Sequence, residues 1–446
     1  MPRISRPKPY TEIFARHAGE ILGLISTFSA VDDKGRYLHW HDFRHRVPSG
    51  INAEAAWCTV KLSRTLMQRF IGLRAEDDSP FKYCLPDYAQ TVIHAIEHIN
   101  ARLGLVVSKD SPVNENNLFL VESLMMEEAI SSAQLEGAAT TRKVAKEMLE
   151  KEREPVNDDE RMIFNNFLLM KLAKHSSEQP LSLELIRRFH AEATRSVQEE
   201  HACPGEIRRT NDIHVKGRDE EIVHQPPDAA LLLERLERLC DFANQQHDGH
   251  DGRTFIHPAV KAIILHFMIG YEHPFNDGNG RTARCLFYWY MLKSGYWAFE
   301  YISISALLKQ APVQYGESYL FTETDEFDLT YFVYHQLKII ERAMDGFLVY
   351  IENKRNELRD VMGLLMQSGF DKDLNFRQVQ LLKKVLRDPG RLFVAKEVKN
   401  DFEVSEGTAR ADLEKLVKLK LLAKVREGKT WCYVARGDAA DQIRKK

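Results

Sequence analysis

Two strongly apolar stretches at helical spacing, PAVKAIILHFMIGYE (258–272) and RTARCLFYWYMLKSG (281–295), stand eight residues apart in this 446-residue chain. Apolar residues recurring every three or four positions bury a helix, so the first stretch predicts a helix over about Ala259–Tyr271. The second predicts another that stops near Gly295, a residue suited to helix C-termini. Between them the chain must turn within HPFNDGNG (273–280), a tight loop that ends where a buried helix begins. The first N–H groups of a helix have no internal partners, and its dipole favours negative charge there. Gly278 and Gly280 open backbone geometries closed to other residues, which lets successive amides converge on an anion. Arg281 and Arg284 lie three apart on one face of the first turn, where both can reach phosphate oxygens. The loop reads as a holder for a polyphosphate.

Its other positions supply chemistry. Asp277 is a hard oxygen ligand suited to Mg²⁺, which is usually held by one or two carboxylates together with substrate phosphates. His273 can take a proton near neutral pH and so activate a hydroxyl that attacks phosphorus. Phe275, between them, is expected to point into the core and fix the loop. A plain Asp-Gly-Asn-Gly turn with solvated arginines accounts for the spacing, but not for six chemically matched positions in twelve residues. HPFNDGNGRTAR (273–284) resembles the signature of the Fic family, H-x-F-x-[DE]-G-N-G-R-x-x-R, at every defined position. The resemblance implies a mostly helical fold and transfer of AMP from ATP, with Mg²⁺, to a protein hydroxyl. It makes His273 the general base and Asp277 the Mg²⁺ ligand. Gly278, Asn279 and Gly280 become the phosphate cradle, and Arg281 and Arg284 hold the β- and γ-phosphates.

Two further segments extend the resemblance. SSAQLEG (131–137) fits the family's inhibitory pattern [ST]-x-x-x-E-[GN] through Ser132, Glu136 and Gly137. It follows LFLVESLMMEEAI, an amphipathic helical stretch, so Glu136 is placed near a helix end. In the family such a glutamate pairs with the second arginine, here Arg284, and occupies the γ-phosphate site. A carboxylate competing with a phosphate for one guanidinium is sound electrostatics. PGEIRRTNDIHVKGRDEEIVHQPP (204–227) holds two short strand-like runs, Ile213–Val215 and Glu221–His224, around Gly217-Arg218-Asp219. It resembles the family's flap hairpin, whose edge registers a target peptide by strand addition; an ordinary surface hairpin is the plain alternative.

Composition narrows the class. A 44% hydrophobic and 28% charged chain of this length makes two or three globular domains. The six cysteines are scattered at 58, 84, 203, 240, 285 and 432 without CxxC spacing. That pattern suits thiols in a reducing compartment. No apolar run approaches the roughly 18 residues of a membrane span, and MPRISRPKPYTEIFARH lacks the apolar centre of a signal peptide. A cytoplasmic location without membrane association is therefore expected. Residues 1–85 start as a Pro- and Arg-containing arm, then predict a strand in RYLHW (36–40) and a helix over about Ala53–Arg69. His39, His41 and His45, and the HDGHDGR run (247–253), look like metal clusters but read better as polar loops. Residues 86–368 read as helix after helix with one hairpin, ending in a long helical pattern from about Asp328.

Residues 369–446 differ in kind. From 371 onward there are 19 Lys and Arg against 12 Asp and Glu, a net of +7 that leaves −10 on the remainder. Helices are expected over Phe376–Leu386, Val394–Asp401 and Ser405–Leu419, then strands in LLAKVRE and TWCYVA around Gly428-Lys429. This order resembles a winged helix-turn-helix, with Thr408, Arg410 and Ala411 on the recognition helix and Arg426–Lys429 as the wing. Such modules dock in the DNA major groove or serve protein interaction. The expected class is thus mostly α: a Fic all-helical fold with a β-hairpin flap, plus a C-terminal winged-helix (α+β) domain. The expected function is a protein adenylyltransferase acting on a Ser, Thr or Tyr hydroxyl, its own included, and restrained by Glu136. A DNA-binding regulator whose Fic domain senses nucleotide, and an enzyme removing AMP through the same pocket, are the alternatives. A homodimer stays open.

Overall fold

Several helices begin where the sequence supplies a cap. In the computed structural model Asn52 accepts from the amides of Glu54 and Ala55, Asn157 from Glu160, Ser182 from Leu185 and Ser405 from Thr408; each side chain satisfies amides that a helix leaves open. The structure describes residues 4–107, 122–150, 153–196, 203–217, 220–368, 374–387, 390–402, 404–427, 430–439 and 443. The chain divides into two compact units. One comprises 1–102, 127–139 and 156–343; the other comprises 103–126, 140–155 and 344–446. Among the described residues no helix is long and apolar enough to cross a membrane.

In chain order the elements up to the second hairpin are α1 (Tyr10–Leu24), α2 (Trp40–Phe43), α3 (Ala53–Thr65), β1 (Arg69–Arg74), β2 (Pro80–Tyr83), α4 (Asp87–Val107), α5 (Glu122–Leu135), α6 (Arg142–Glu150), α7 (Asp158–His175), α8 (Leu183–Ala193), β3 (Val215–Lys216) and β4 (Ile222–His224). There follow α9 (Leu232–Asn244), α10 (Pro258–Glu272), α11 (Asn279–Lys293), α12 (Ser305–Leu308), α13 (Pro312–Thr324) and the 39-residue α14 (Thr330–Ser368). The first unit is centred on α10 and α11, which are buried on almost every side and pack together, with α7 and α8 against α11 and α9 against α10. A helix apolar all round belongs in such a core. Pro258 begins α10, where its missing N–H costs nothing.

The N-terminal residues depart from expectation. Residues 36–39 form no strand: Leu38 gives its carbonyl to the buried Arg64 guanidinium at 2.8 Å, and Tyr37 donates its hydroxyl to Asp328 at 2.6 Å. A side-chain network thus takes the place of a neighbouring strand. The third helix ends at Thr65, short of the expected Arg69, because RFIGLR alternates buried Ile71 and Leu73 with exposed neighbours and pairs with β2 as a hairpin. The arm itself holds α1, packed on α3. His39 is no solvent loop residue; it is buried, accepts from the His41 amide at 3.1 Å to start α2, and stacks on Phe321.

The C-terminal part of the second unit contains α15 (Phe376–Arg387), β5 (Leu392–Val394), α16 (Ala395–Asp401), α17 (Glu406–Lys418), β6 (Leu422–Glu427) and β7 (Thr430–Ala435). The strands form one antiparallel sheet in the order β5-β7-β6. Leu381, Leu382, Phe393, Leu413, Leu416 and Tyr433 build its core. Strand β5 escaped the sequence reading because three residues are too few to show a period. The expected wing tip, Gly428-Lys429, lies outside the described residues, as do Arg218-Asp219 of the expected flap turn and the start of LFLVESL.

Candidate active site

The loop between α10 and α11 is built by two left-handed residues. His273 closes α10 with φ 44°, and Gly278 precedes α11 with φ 76°. Gly278 is needed twice over, since a Cβ there would meet Thr194 Cγ2 at 2.8 Å. Asn279 closes the loop from within. Its side-chain oxygen accepts from the Phe275 amide at 2.9 Å and its nitrogen donates to the Phe275 carbonyl at 2.7 Å. Phe275 points into the core, as expected, and stacks on His190 with ring centroids 3.7 Å apart. His190 is a site residue that the sequence did not reveal. The Gly205 amide donates to its Nδ1 at 2.9 Å, so the proton sits on Nε2, which donates to the Asp277 carbonyl at 2.8 Å. Burial pushes its pKa down to about 4, which keeps this bridge neutral.

His273 is half-buried. Its Nδ1 lies 3.4 Å from the Gly270 carbonyl. A carbonyl only accepts, so Nδ1 carries the proton and Nε2 keeps a lone pair. Burial first, and then the positive His224 and Arg208, bring its pKa down to about 4. The imidazole is therefore neutral through the physiological range.

The arginines are both buried but differently engaged. Arg281 donates to the Ala193 carbonyl at 2.9 Å and is ion-paired with Asp277 four residues before it, so cation-seeking acid and first arginine meet each other. Asp277 remains about 40% exposed. Arg284 reaches across to α5: its Nη2 donates to Glu136 Oε1 at 2.7 Å, its Nε to Ser132 Oγ at 2.9 Å and its Nη2 also to the Ser132 carbonyl at 3.2 Å. Glu136 sits one residue past α5, and Gly137 (φ 108°) stops that helix, with the Ala138 amide donating back to Ala133 at 3.1 Å. The inhibitory pattern and the loop, almost 150 positions apart, thus converge on one guanidinium.

Gly280 lies inside the first turn of α11, and its role differs from the expected free backbone. A Cβ there would stand 2.3 Å from Glu136 Oε1 and 3.1 Å from Arg284 Nη1. It is glycine because a carboxylate packs against it. What holds α5 in place is Glu128, buried, which accepts from Ser303 Oγ at 2.7 Å and from the Ser305 amide at 3.0 Å. Residues 215–216 and 222–224 form the expected hairpin, its first strand starting two residues later than the sequence suggested.

Residues 180–291, which include α8 to most of α11, match the family model described as Fic/DOC family. Proteins named "Protein adenylyltransferase Fic" are similar to part of the chain: that of Drosophila sechellia is 38% identical over 92 residues, covering 21% of this chain and 16% of the relative. Solved structures resemble the chain at lower identity. A Fic family protein from Desulfovibrio desulfuricans G20 is 16% identical with a TM-score of 0.48, covering 78% of this chain and 95% of that one. Fic-1 from C. elegans is 15% identical at 0.48, covering 76% and 83%. The likeness to the Fic/DOC family is thus carried by residues 180–291, the stretch that holds the loop and both arginines.

Proposed function

We propose that the chain is a protein adenylyltransferase that moves AMP from ATP to a Ser, Thr or Tyr hydroxyl of a protein and is restrained by Glu136. The observation that carries this is the Arg284 guanidinium, positioned at the loop but held by Glu136 and Ser132. A guanidinium gripped so is a phosphate site occupied by its own carboxylate. In the transfer the target oxygen bonds to the α-phosphorus while the bond from that phosphorus to pyrophosphate breaks. His273 Nε2, neutral and bearing a lone pair, takes the hydroxyl proton. Amides at the start of α11, with Arg284 once freed, orient the phosphates. Among the described residues no cluster of three or more metal-ligating side chains occurs. A nucleotide-borne Mg²⁺ needs only one carboxylate beside the phosphates, and the half-open Asp277 suits that part. Bound there, Mg²⁺ would neutralise charge on the phosphates. Incubation of the protein with ATP labelled on the α-phosphate, Mg²⁺ and a cell lysate should label protein bands. Label retained after denaturation supports transfer; no label with either the wild-type chain or a Glu136 variant rejects it.

The C-terminal part of the second unit supports a further role, DNA binding by a winged helix. The observation favouring it is the order α15-β5-α16-α17-β6-β7 with exposed Lys418, Lys420 and Arg426 toward the end of α17 and along β6. Arg410, on the expected recognition helix, is paired with Glu406 at 2.9 Å, which weakens that face. The full chain and a fragment 371–446 are both expected to bind duplex DNA with affinity that falls steeply as salt rises, because phosphate contacts release counterions. No binding by either in a low-salt fluorescence titration would assign the module to protein interaction.

A further inference from the structure

The C-terminal end of α10 and the turn after it carry four carbonyls, and each is met by a group outside the helix ladder. Gly270 faces His273 Nδ1 at 3.4 Å, Tyr271 accepts from His224 Nε2 at 2.8 Å, His273 accepts from Arg208 Nε at 2.9 Å, and Pro274 accepts from the Arg208 amide at 2.9 Å. Arg208 is buried. It also donates to the Thr210 carbonyl at 2.8 Å, to Asn211 Oδ1 at 3.2 Å and to the Pro227 carbonyl. Every one of these hydrogen-bond partners is a neutral oxygen. A buried guanidinium without a paired carboxylate is costly unless other groups stabilise it; here the negative end of the α10 dipole and four accepting oxygens do so.

His224, the last residue of β4, is the second cation. Its Nε2 faces a carbonyl and its Nδ1 faces Glu323 at 2.8 Å. Both partners accept, so both ring nitrogens carry protons. Burial alone would lower its pKa, but the hydrogen bond and charge of Glu323 raise it above the ordinary value. The two cations come from either side of the hairpin at 215–224. Between them they fix the residue that adopts φ 44° without being glycine, a conformation that persists only where surroundings over-determine it.

We propose that Arg208 and His224 are positioning residues that clamp His273 in its left-handed turn and join the hairpin to it as one piece. The inference rests on the reading of His273 as the proton acceptor. A hairpin preceded by Arg208, on the His273 carbonyl, and ending in His224, on the Tyr271 carbonyl, transmits whatever docks on its edge. It also explains how a peptide edge and an imidazole keep their register without contacting one another.

The test uses full-length protein carrying Arg208→Met or His224→Gln, each in the Glu136→Gly background for activity and in the otherwise wild-type chain for spectroscopy. For both, kcat should fall on the order of tenfold or more, the usual result of misplacing a catalytic group. KM for ATP should stay within about twofold, because the phosphate groups are untouched. In a histidine NMR titration the pKa of His273 should rise in each variant. The groups facing it are the cations His224 and Arg208 and the carboxylate of Glu136, and each substitution removes a cation. Arg208→Lys, which keeps the charge but loses the fork, should lower kcat with little change in that pKa; it also serves if Arg208→Met does not fold. A folded variant with unchanged kcat and unchanged His273 pKa overturns the clamp. If the Glu136→Gly parent transfers no AMP, the functional reading fails, and the backbone NMR shifts of His273, which the clamp expects to move in Arg208→Lys and a merely electrostatic role would not, still decide the clamp.

Discussion

Glu136→Gly is expected to accelerate AMP incorporation at least about tenfold over the wild-type chain. The substitution removes the Oε1 partner 2.7 Å from Arg284 Nη2. Charge-assisted hydrogen bonds are worth about 1.5–3 kcal/mol, and about 1.4 kcal/mol corresponds to a factor of ten in rate. Arg284 then keeps neutral partners such as Ser132 and Tyr315 and offers its freed face to the γ-phosphate. Adding Arg284→Ala should abolish the gain, because the freed group is then absent. The assay is incorporation of α-labelled ATP into the protein itself and into an accepted target. A glycine variant no faster than wild type would leave SSAQLEG as a helix end and discard the restraint, while the assignment of His273 could stand.

His273→Ala should lower transfer by about 10² or more in the Glu136→Gly background while ATP binding stays nearly intact, the usual share of a positioned general base. The imidazole touches the Gly270 carbonyl and not the groups of α11 that face phosphate, so calorimetric ATP affinity should scarcely change. The pH profile gives a second reading. With a pKa lowered to about 4, His273 is unprotonated at every pH above about 5. Its protonation should therefore suppress kcat/KM only toward pH 4, and not near the ordinary 6.5 of a solvated histidine. An alanine variant as fast as its parent would remove His273 from the chemistry.

The candidate site was unusually open to reading because most of it is local. Helices α10 and α11 and the loop between them arise from neighbours along the chain, where apolar period and turn residues speak directly. Glu136 could be tied to Arg284 only through the family pattern, since nothing in their own surroundings joins residues 148 positions apart. His190 and Arg208 stayed hidden for the same reason: they act on carbonyls 87 and 65 positions away, and backbone oxygens leave no mark on a sequence. Gly280 was legible as necessary but not for its cause, which is the approach of a side chain from another helix. At the N-terminus a buried network of Arg64, Tyr37 and Asp328 overrode the strand preference of RYLHW. Tertiary partners decide such short segments.

Glu128 bolts α5 to residues 303–305 two turns before its end, and the amides of Glu136, Gly137 and Ala138 close that end on the Ala133 and Gln134 carbonyls. Release of Arg284 then needs no helix to swing or unfold; one side chain with about a third of its surface in solvent has only to change rotamer. An equilibrium of that kind, set by a few kcal/mol, keeps the open form at roughly 0.1–10% of molecules. On the proposed function, such an enzyme would be throttled rather than switched off, with a slow baseline turnover that rises smoothly as nucleotide competes for the guanidinium.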